Sequence, residues 1–159
     1  MRYRLANLIA LGSALACLMG GVVVAQDKPA DNMDVLREKL RADKKAVVAE
    51  VLQLTEGEAK VFWPVYNAYQ SDMVTHYDRL LKLLDNYASS YETMTDAQAT
   101  SILQQYLGLE RDHVAILTSY LPRFQKVLPP KKVAKLYQVE NKARALVNYE
   151  LARGIPLVK

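Results

Sequence analysis

The stretch FWPVYNAYQSDMVTHYDRLLKLLDNYASSY, residues 62–91, decides the fold. Its large apolar side chains recur at steps of three or four residues, which is the spacing of one helix face packed against a partner. These positions are Phe62, Tyr66, Tyr69, Met73, Tyr77, Leu80, Leu84, Tyr87 and Tyr91. The segment predicts one long helix with a continuous apolar seam.

The next segment, residues 96–121, repeats this spacing. Its apolar positions are Ala99, Ile102, Tyr106, Leu109, His113, Ile116 and Tyr120. The link Thr93-Met94-Thr95 is short, and a short link between two long helices folds them back on each other. We therefore expect an antiparallel helical hairpin.

Two further helices flank the hairpin. Residues 33–52 carry a helical apolar stripe after Asp31 or Asn32 as the cap, and the last helix starts at Pro129-Pro130 and ends before Gly154. No segment of useful length alternates like a strand. The sequence predicts an all-α fold of four helices built around the hairpin, which Pro64 and Pro122 should kink.

The starts of both hairpin helices carry the same signal. Thr55 is followed three residues later by Glu58, and Thr95 by Gln98, so each pair can form a capping box. Leu54 and Met94 precede the two threonines and can pack onto the first turn. These residues predict two sharply started helices and say nothing by themselves about function.

The first twenty-five residues have the pattern of an export signal. Arg2 and Arg4 precede an almost wholly apolar run that ends in Val23-Val24-Ala25. A membrane anchor is the rival interpretation, and Cys17 lacks the leucine upstream that a lipoprotein signal has. We expect a cleaved signal peptide at 1–25, a flexible segment at 26–32, one helical domain at 33–153 and a tail at 154–159.

The charge of the chain is unevenly distributed. Residues 122–159 hold nine basic and two acidic residues, whereas residues 26–121 are net acidic. The last helix, with Lys131, Lys132 and Lys135, therefore offers either a solvated face or a basic surface for acidic polypeptides or anionic lipid headgroups. The sequence has no phosphate-binding glycine loop, zinc-protease motif or nucleophile elbow, so we expect no enzyme.

The paired motifs LTEGE, residues 54–58, and MTDAQ, residues 94–98, resemble the Leu-Thr-x-x-Gln motifs of the Spy/CpxP family of periplasmic proteins. Glu58 replaces the family's glutamine, and Met94 replaces its leucine. The resemblance implies a curved helical hairpin that dimerises into a cradle. It also implies an ATP-independent chaperone or stress-signalling adaptor of the envelope, in a superfamily that includes zinc-binding sensors.

The only two histidines suggest a metal site as an alternative. His76 and His113 are almost equally far from Met94 along the chain, so an antiparallel hairpin brings them to the same level. Asp72, one turn from His76, can add an oxygen ligand for zinc. Packing histidines are the simpler interpretation, and we therefore expect no metal or other cofactor.

The aromatic residues form most of the hairpin core, and the apolar area that remains must be covered by the other helices, by a second subunit or by a bound polypeptide. Nine tyrosines follow the predicted signal peptide, and two helices alone cannot enclose so much apolar area. A kink at Pro64 would turn one of Phe62, Trp63 and Tyr66 away from the seam, although Trp63 also suits a core position. These three residues are the candidate contacts for non-native polypeptides.

The sequence as a whole thus predicts a periplasmic, non-catalytic stress protein that binds unfolded envelope proteins as a homodimer. The alternatives are a metal-responsive sensor or scavenger that uses His76 and His113, and a signalling adaptor with one folded partner. We expect no nucleic-acid partner, and membrane-surface contact is an option for the basic last helix.

Overall fold

The computed structural model describes residues 42–158, and this part of the chain is all-helical. Residues 42–52 are helical and are called α1. The other helices are α2 (Glu56–Ser90), α3 (Asp96–Gln125) and α4 (Pro130–Gly154), with a 3₁₀ turn at Tyr91–Thr93 after α2. Within 42–158 there is no strand, and none of the helices is both long and apolar enough to span a bilayer. The predicted signal peptide, the segment 26–32 and the start of the first helix lie outside the described residues.

The described chain divides into two compact units. One, the hairpin unit, contains residues 54–138 and 156–158, and the other, the terminal unit, contains residues 42–53 and 139–155. The chain passes between them inside α4, which is a continuous helix. The expectation of one helical domain over 33–153 stays a prediction.

Both hairpin helices start with the capping box that their sequences encode. The Thr55 hydroxyl accepts the Glu58 N–H, and the Glu58 carboxylate accepts the Thr55 N–H at 2.8 Å. Thr95 and Gln98 repeat both bonds, with the Thr95 N–H 2.9 Å from the Gln98 side-chain oxygen. Each box satisfies two of the four amide groups that a helix start leaves open. This fixes where α2 and α3 begin.

Helices α2 and α3 pair in antiparallel orientation. The rings of Tyr69 and Tyr120 lie 5.4 Å apart, and the rings of His76 and His113 lie 5.5 Å apart. Residues later in α2 therefore contact residues earlier in α3. The all-α class is confirmed, while the kinks and the dimer stay predictions.

The buried seam of α2 differs from the predicted one in its second half. The buried positions of α2 are Phe62, Tyr66, Tyr69, Met73, His76, Leu83 and Tyr87. His76 and Leu83 replace Tyr77 and Leu84, which are only half-buried. Residues that face a packed helix recur on average every 3.5 residues. The predicted positions Tyr69, Met73 and Tyr77 are two steps of four apart, so from Tyr77 onward they rotate away from the face that α2 presents to α3.

Neither proline interrupts its helix. Helix α2 runs through Pro64, and α3 runs through Pro122 to Gln125. A proline inside a helix costs about 3 kcal/mol. At Pro122 this cost is offset because the continued helix carries Phe124 into the core, where its ring is 1% exposed and lies 5.9 Å from Phe62.

The first part of α4 closes the hairpin unit. Val133 and Leu136 are buried, and the Tyr137 hydroxyl donates to the Leu117 carbonyl at 2.6 Å. Burial raises the pKa of Tyr137 above its usual value. The Lys132 ammonium donates to the Glu58 carboxylate at 2.6 Å, so α4 is tied to the first turn of α2.

The terminal unit has a smaller core. Val48 and Leu52 are buried, and Lys44 forms an ion pair of 2.7 Å with Glu140, whose side chain is only 9% exposed. Helix α1 ends at Gln53, which adopts a left-handed conformation (φ 46°) and donates its N–H to the Ala49 carbonyl. This is the usual geometry of a helix C-terminus, in a position that more often holds glycine.

Candidate functional site

The predicted polypeptide contacts on α2 lie mostly inside the protein. Phe62 and Tyr66 are fully buried at 0% exposure, and their rings stack 5.3 Å apart. Only Trp63 is half-buried, with its ring 4.9 Å from that of Phe62. The role of the three residues as contacts for polypeptides therefore stays a prediction, and Phe62 and Tyr66 do not reach the surface in the structure. The reason is that α2 continues through Pro64 and keeps Phe62 and Tyr66 on the same seam as Tyr69.

These residues belong to an aromatic cluster that joins the three helices of the hairpin unit. Tyr69 meets the ring of Phe124 edge-on at 5.7 Å, and Phe124 meets that of Tyr137 at 6.3 Å. Ring pairs at such distances stabilise a core by about 0.5–1.5 kcal/mol each beyond their buried area. The cluster accounts for most of the aromatic residues as structural core.

The three candidate lysines are not equivalent. Lys131 and Lys135 are exposed, one helical turn apart on α4. Lys132 points elsewhere and is paired with Glu58, and both side chains are less than one quarter exposed. The Lys132 ammonium, followed by the Thr55 N–H, holds the pKa of Glu58 below its usual value. Two lysines are therefore available to an acidic partner, and the third holds α4 against α2.

The two histidines meet at one level of the hairpin, as their spacing requires. His76 is 5% exposed and His113 is 4% exposed. Asp72 accepts a hydrogen bond from the Tyr120 hydroxyl at 2.7 Å, so one of its oxygens is already engaged. Among residues 42–158, no three histidine, cysteine, aspartate or glutamate side chains are grouped so as to hold a metal ion. The proposed ligand set of His76, His113 and Asp72 does not fit around zinc in this arrangement.

Tyr120 links the histidine level to the aromatic cluster. Its ring is 3% exposed, and the Arg123 guanidinium lies 4.6 Å from the ring centre. Burial, and then the hydrogen bond to Asp72, raise the pKa of Tyr120 above its usual value. The hydroxyl therefore stays protonated and donates to Asp72 throughout the neutral range.

A row of exposed apolar side chains lies on α3, apart from the stripe that this helix buries. Leu103, Leu107 and Val114 are each more than half exposed, at 57%, 52% and 57%. Leu121 continues the row at 37%. We call the surface formed by these four residues, together with Gln104, Glu110 and Arg111, the outer face of α3.

The outer face of α3 is an open surface and not an enclosed cavity. Its central part is lined by Gln104, Leu107, Glu110, Arg111 and Val114. Acidic and basic groups thus sit between apolar side chains. The buried residues Leu109, His113 and Tyr120 occupy a separate stripe of the same helix. Helix α3 therefore carries apolar side chains on more than the face that it buries.

This surface was not predicted from the sequence, although a signal for it was present. Leu107, Val114 and Leu121 are spaced seven residues apart, and Leu103 lies one turn before Leu107. This is a second heptad stripe beside the one that forms the seam. Tyr106, predicted for the seam, is 45% exposed, which shows that the seam pattern in this half of α3 was assigned too widely.

Comparisons with protein-family models, with curated proteins and with solved structures found no match to this chain.

Proposed function

We propose that this protein is an ATP-independent, non-catalytic chaperone or stress protein of the Spy/CpxP type, exported to the periplasm, which binds non-native polypeptides. The observation that carries the proposal is the outer face of α3. Its apolar row aligns four exposed side chains along one helix, and single exposed apolar residues are ordinary whereas an aligned row is not.

The chemistry of this face suits a loosely bound and variable partner. Covering one large apolar side chain contributes about 1.5–3 kcal/mol at most, so a few such contacts give weak and reversible binding. Glu110 and Arg111 supply both charge signs within one helical turn. The surface is open, and it therefore imposes no fixed register on a bound chain.

Three finer features belong to the same proposal. The hairpin is kinked at Pro64, the protein forms a homodimer, and Lys131 with Lys135 provides the basic contact to acidic polypeptides or to a membrane surface. The last feature is supported by the exposure of both lysines one turn apart on α4. Trp63 stays a contact residue through the part of its side chain that is exposed.

A metal-responsive sensor is the second candidate function. The contact of the His76 and His113 rings at 5.5 Å favours it, since two imidazole nitrogens are common zinc ligands. Zinc needs four ligands, and the described residues group only these two. We place this function, and that of a signalling adaptor with one folded partner, behind polypeptide binding.

The test is protection of a chemically denatured protein from aggregation, followed by light scattering, without nucleotide. We expect the purified protein to slow aggregation of several unrelated substrates at near-stoichiometric ratios. The double variant Leu107→Ser/Val114→Ser should need about tenfold more protein for the same effect, because it loses two apolar contacts. Both positions are more than half exposed, so the fold should be retained.

The matched control is Val61→Ser/Leu81→Ser. These residues lie on α2 and are exposed to a similar degree, at 48% and 50%. The control should protect as well as the original chain. Absence of protection across all substrates removes the proposed function, and equal loss in both double variants shows that the outer face of α3 is not the binding surface.

A further inference from the structure

The two histidines occupy positions of the α2–α3 seam where a packed helix pair normally has apolar side chains. His76 lies between Met73 and Leu83 on the buried stripe of α2, and His113 follows Leu109 on that of α3. The two side chains are 5% and 4% exposed, and their ring centres lie 5.5 Å apart. The Nδ1 atom of each ring is shielded from solvent. One level of the seam therefore contains two groups that can each take up a proton.

We propose that this pair makes the contact between α2 and α3 sensitive to mild acid. While they are neutral, the two imidazoles pack in the seam like the apolar residues around them. An imidazole in water takes up its proton near pH 6.5, so the change in charge falls just below neutral pH. Two charged rings do not suit a site without water, and the helices separate at this level when the rings are protonated.

Burial is the larger of two reasons why the charged rings do not fit. A buried site can shift the balance between the charged and the neutral form of a histidine about a thousandfold towards the neutral form. The second reason is the repulsion between the rings, because little water lies between two buried charges to screen them. Protonation of either ring therefore makes protonation of the other less favourable.

The charged side chains that border the pair on α2 and α3 are Asp72, Arg79, Glu110 and Asp112. Arg79 and Asp112 form an ion pair with each other at 2.6 Å, and about half of each side chain is exposed. Asp72 is exposed and already accepts a hydrogen bond from the Tyr120 hydroxyl. Glu110 is half-buried, but one carboxylate does not match two buried positive charges. Charges that reach water act weakly on a buried group, so burial outweighs their attraction for a protonated ring.

The other titratable groups near this level do not change that balance. Asp78 and Arg111 are each two residues from a histidine, which places them about 200° around their helices, on the far sides. The Tyr77 ring meets that of His76 at 5.5 Å, and Tyr137 of α4 reaches the Leu117 carbonyl, one turn from the second histidine. Tyrosine hydroxyls carry no charge near neutral pH.

The test is urea unfolding of the hairpin unit between pH 7.5 and 5.5, followed by the fluorescence of Trp63, the only tryptophan of the chain. The unfolded chain binds the protons that the folded chain excludes, so stability is lost as the pH falls. With both rings neutral in the fold, the equilibrium constant of unfolding should rise about hundredfold over this interval. It should rise about tenfold in His76→Leu or in His113→Leu, and stay constant in the double variant. Most carboxyl groups titrate below this interval.

The control is Tyr77→Phe, which keeps the ring beside His76 and removes only the hydroxyl. It should retain the hundredfold rise. If a leucine variant fails to fold, the ring signals of the original chain provide the test by nuclear magnetic resonance. The chain has two histidines, so after removal of any purification tag two sets of ring signals are expected. Both should keep the chemical shifts of neutral imidazole in the folded protein down to pH 5.5.

Two results overturn the inference. One is an unfolding constant that rises equally in the original chain and in the variant His76→Leu/His113→Leu. The other is a pair of ring signals that titrate near pH 6.5 while the protein stays folded. Every measurement uses the purified protein without a polypeptide substrate, so its outcome is independent of whether the proposed function holds.

Discussion

The imidazole rings of His76 and His113 lie 5.5 Å apart, one on each helix of the hairpin, and both are almost fully buried. The contact fixes the register of the α2–α3 pair and brings together the only two histidines of the chain. Among residues 42–158 no third metal ligand is grouped with the two rings, and one oxygen of Asp72 accepts a hydrogen bond from Tyr120.

Zinc should therefore bind this level of the hairpin weakly or not at all. We expect calorimetric titrations with zinc chloride to give the same heat for the original chain and for the variant His76→Ala/His113→Ala. Two imidazoles fall short of the four ligands of a closed zinc site. Submicromolar binding that the double variant abolishes would establish the metal-responsive function instead.

The ion pair between Lys132 and Glu58 should make the hairpin unit sensitive to acid. Because the pKa of Glu58 is lowered, its ionised carboxylate stabilises the fold at pH values above the normal pKa of a glutamate. This stabilisation is lost as the pH falls through the lowered pKa. Glu58→Gln removes the charge and retains the cap, since Gln98 makes the same bond in the second box. Urea unfolding should depend less on pH between about 6 and 3 in this variant than in the original chain.

The capping threonines should contribute measurably to stability. Thr95→Ala removes the hydroxyl that accepts the Gln98 N–H, and we expect it to lower the free energy of unfolding by about 1 kcal/mol. Thr100 is the control, because it lies inside α3 and its hydroxyl donates to the Asp96 carbonyl one turn back. Thr100→Ala should leave stability unchanged or raise it slightly, since alanine favours helix. Equal losses in chemical denaturation would count against the capping box.

The buried tyrosines predict sensitivity to alkali. Burial raises the pKa of Tyr87, Tyr120 and Tyr137. Their protonated hydroxyls therefore stabilise the fold at pH values below the normal pKa of a tyrosine, and this stabilisation is lost as the pH rises through the raised pKa values. Tyr120→Phe should flatten the fall in stability above about pH 10 while costing about 1 kcal/mol at neutral pH through the lost bond to Asp72. An unchanged alkaline slope would show that Tyr120 does not contribute to it.

Local signals in the sequence predicted the helices and their starts well. The Thr55 and Thr95 boxes depend on contacts within four residues, and their geometry is the one that the sequence encodes. The meeting of His76 and His113 required only equal distances from the corner at Met94. The all-α class followed from the same periodicity.

The positions of the surface residues were harder to predict, because they depend on which face of each helix has a partner. At least one of Phe62, Trp63 and Tyr66 was expected to turn away from the seam at Pro64, and periodicity could not tell which; the structure buries Phe62, which packs against Phe124, and Tyr66, and leaves Trp63 half-buried. On α3 the sequence contains two apolar stripes, and periodicity alone does not tell which of them faces α2. The structure shows that the stripe of Leu109, His113 and Tyr120 does, which leaves Leu107 and Val114 in solvent.

The central claim is that the outer face of α3 receives non-native polypeptides, and site-specific photo-crosslinking tests it most directly. A benzophenone side chain is placed at Leu107 or, as the control, at Leu81 on α2, two positions of almost equal exposure. The protein is diluted and mixed with a denatured substrate before irradiation. The account predicts crosslinks to the substrate from position 107 that exceed those from position 81 several-fold. Equal or greater crosslinking from position 81 would contradict it.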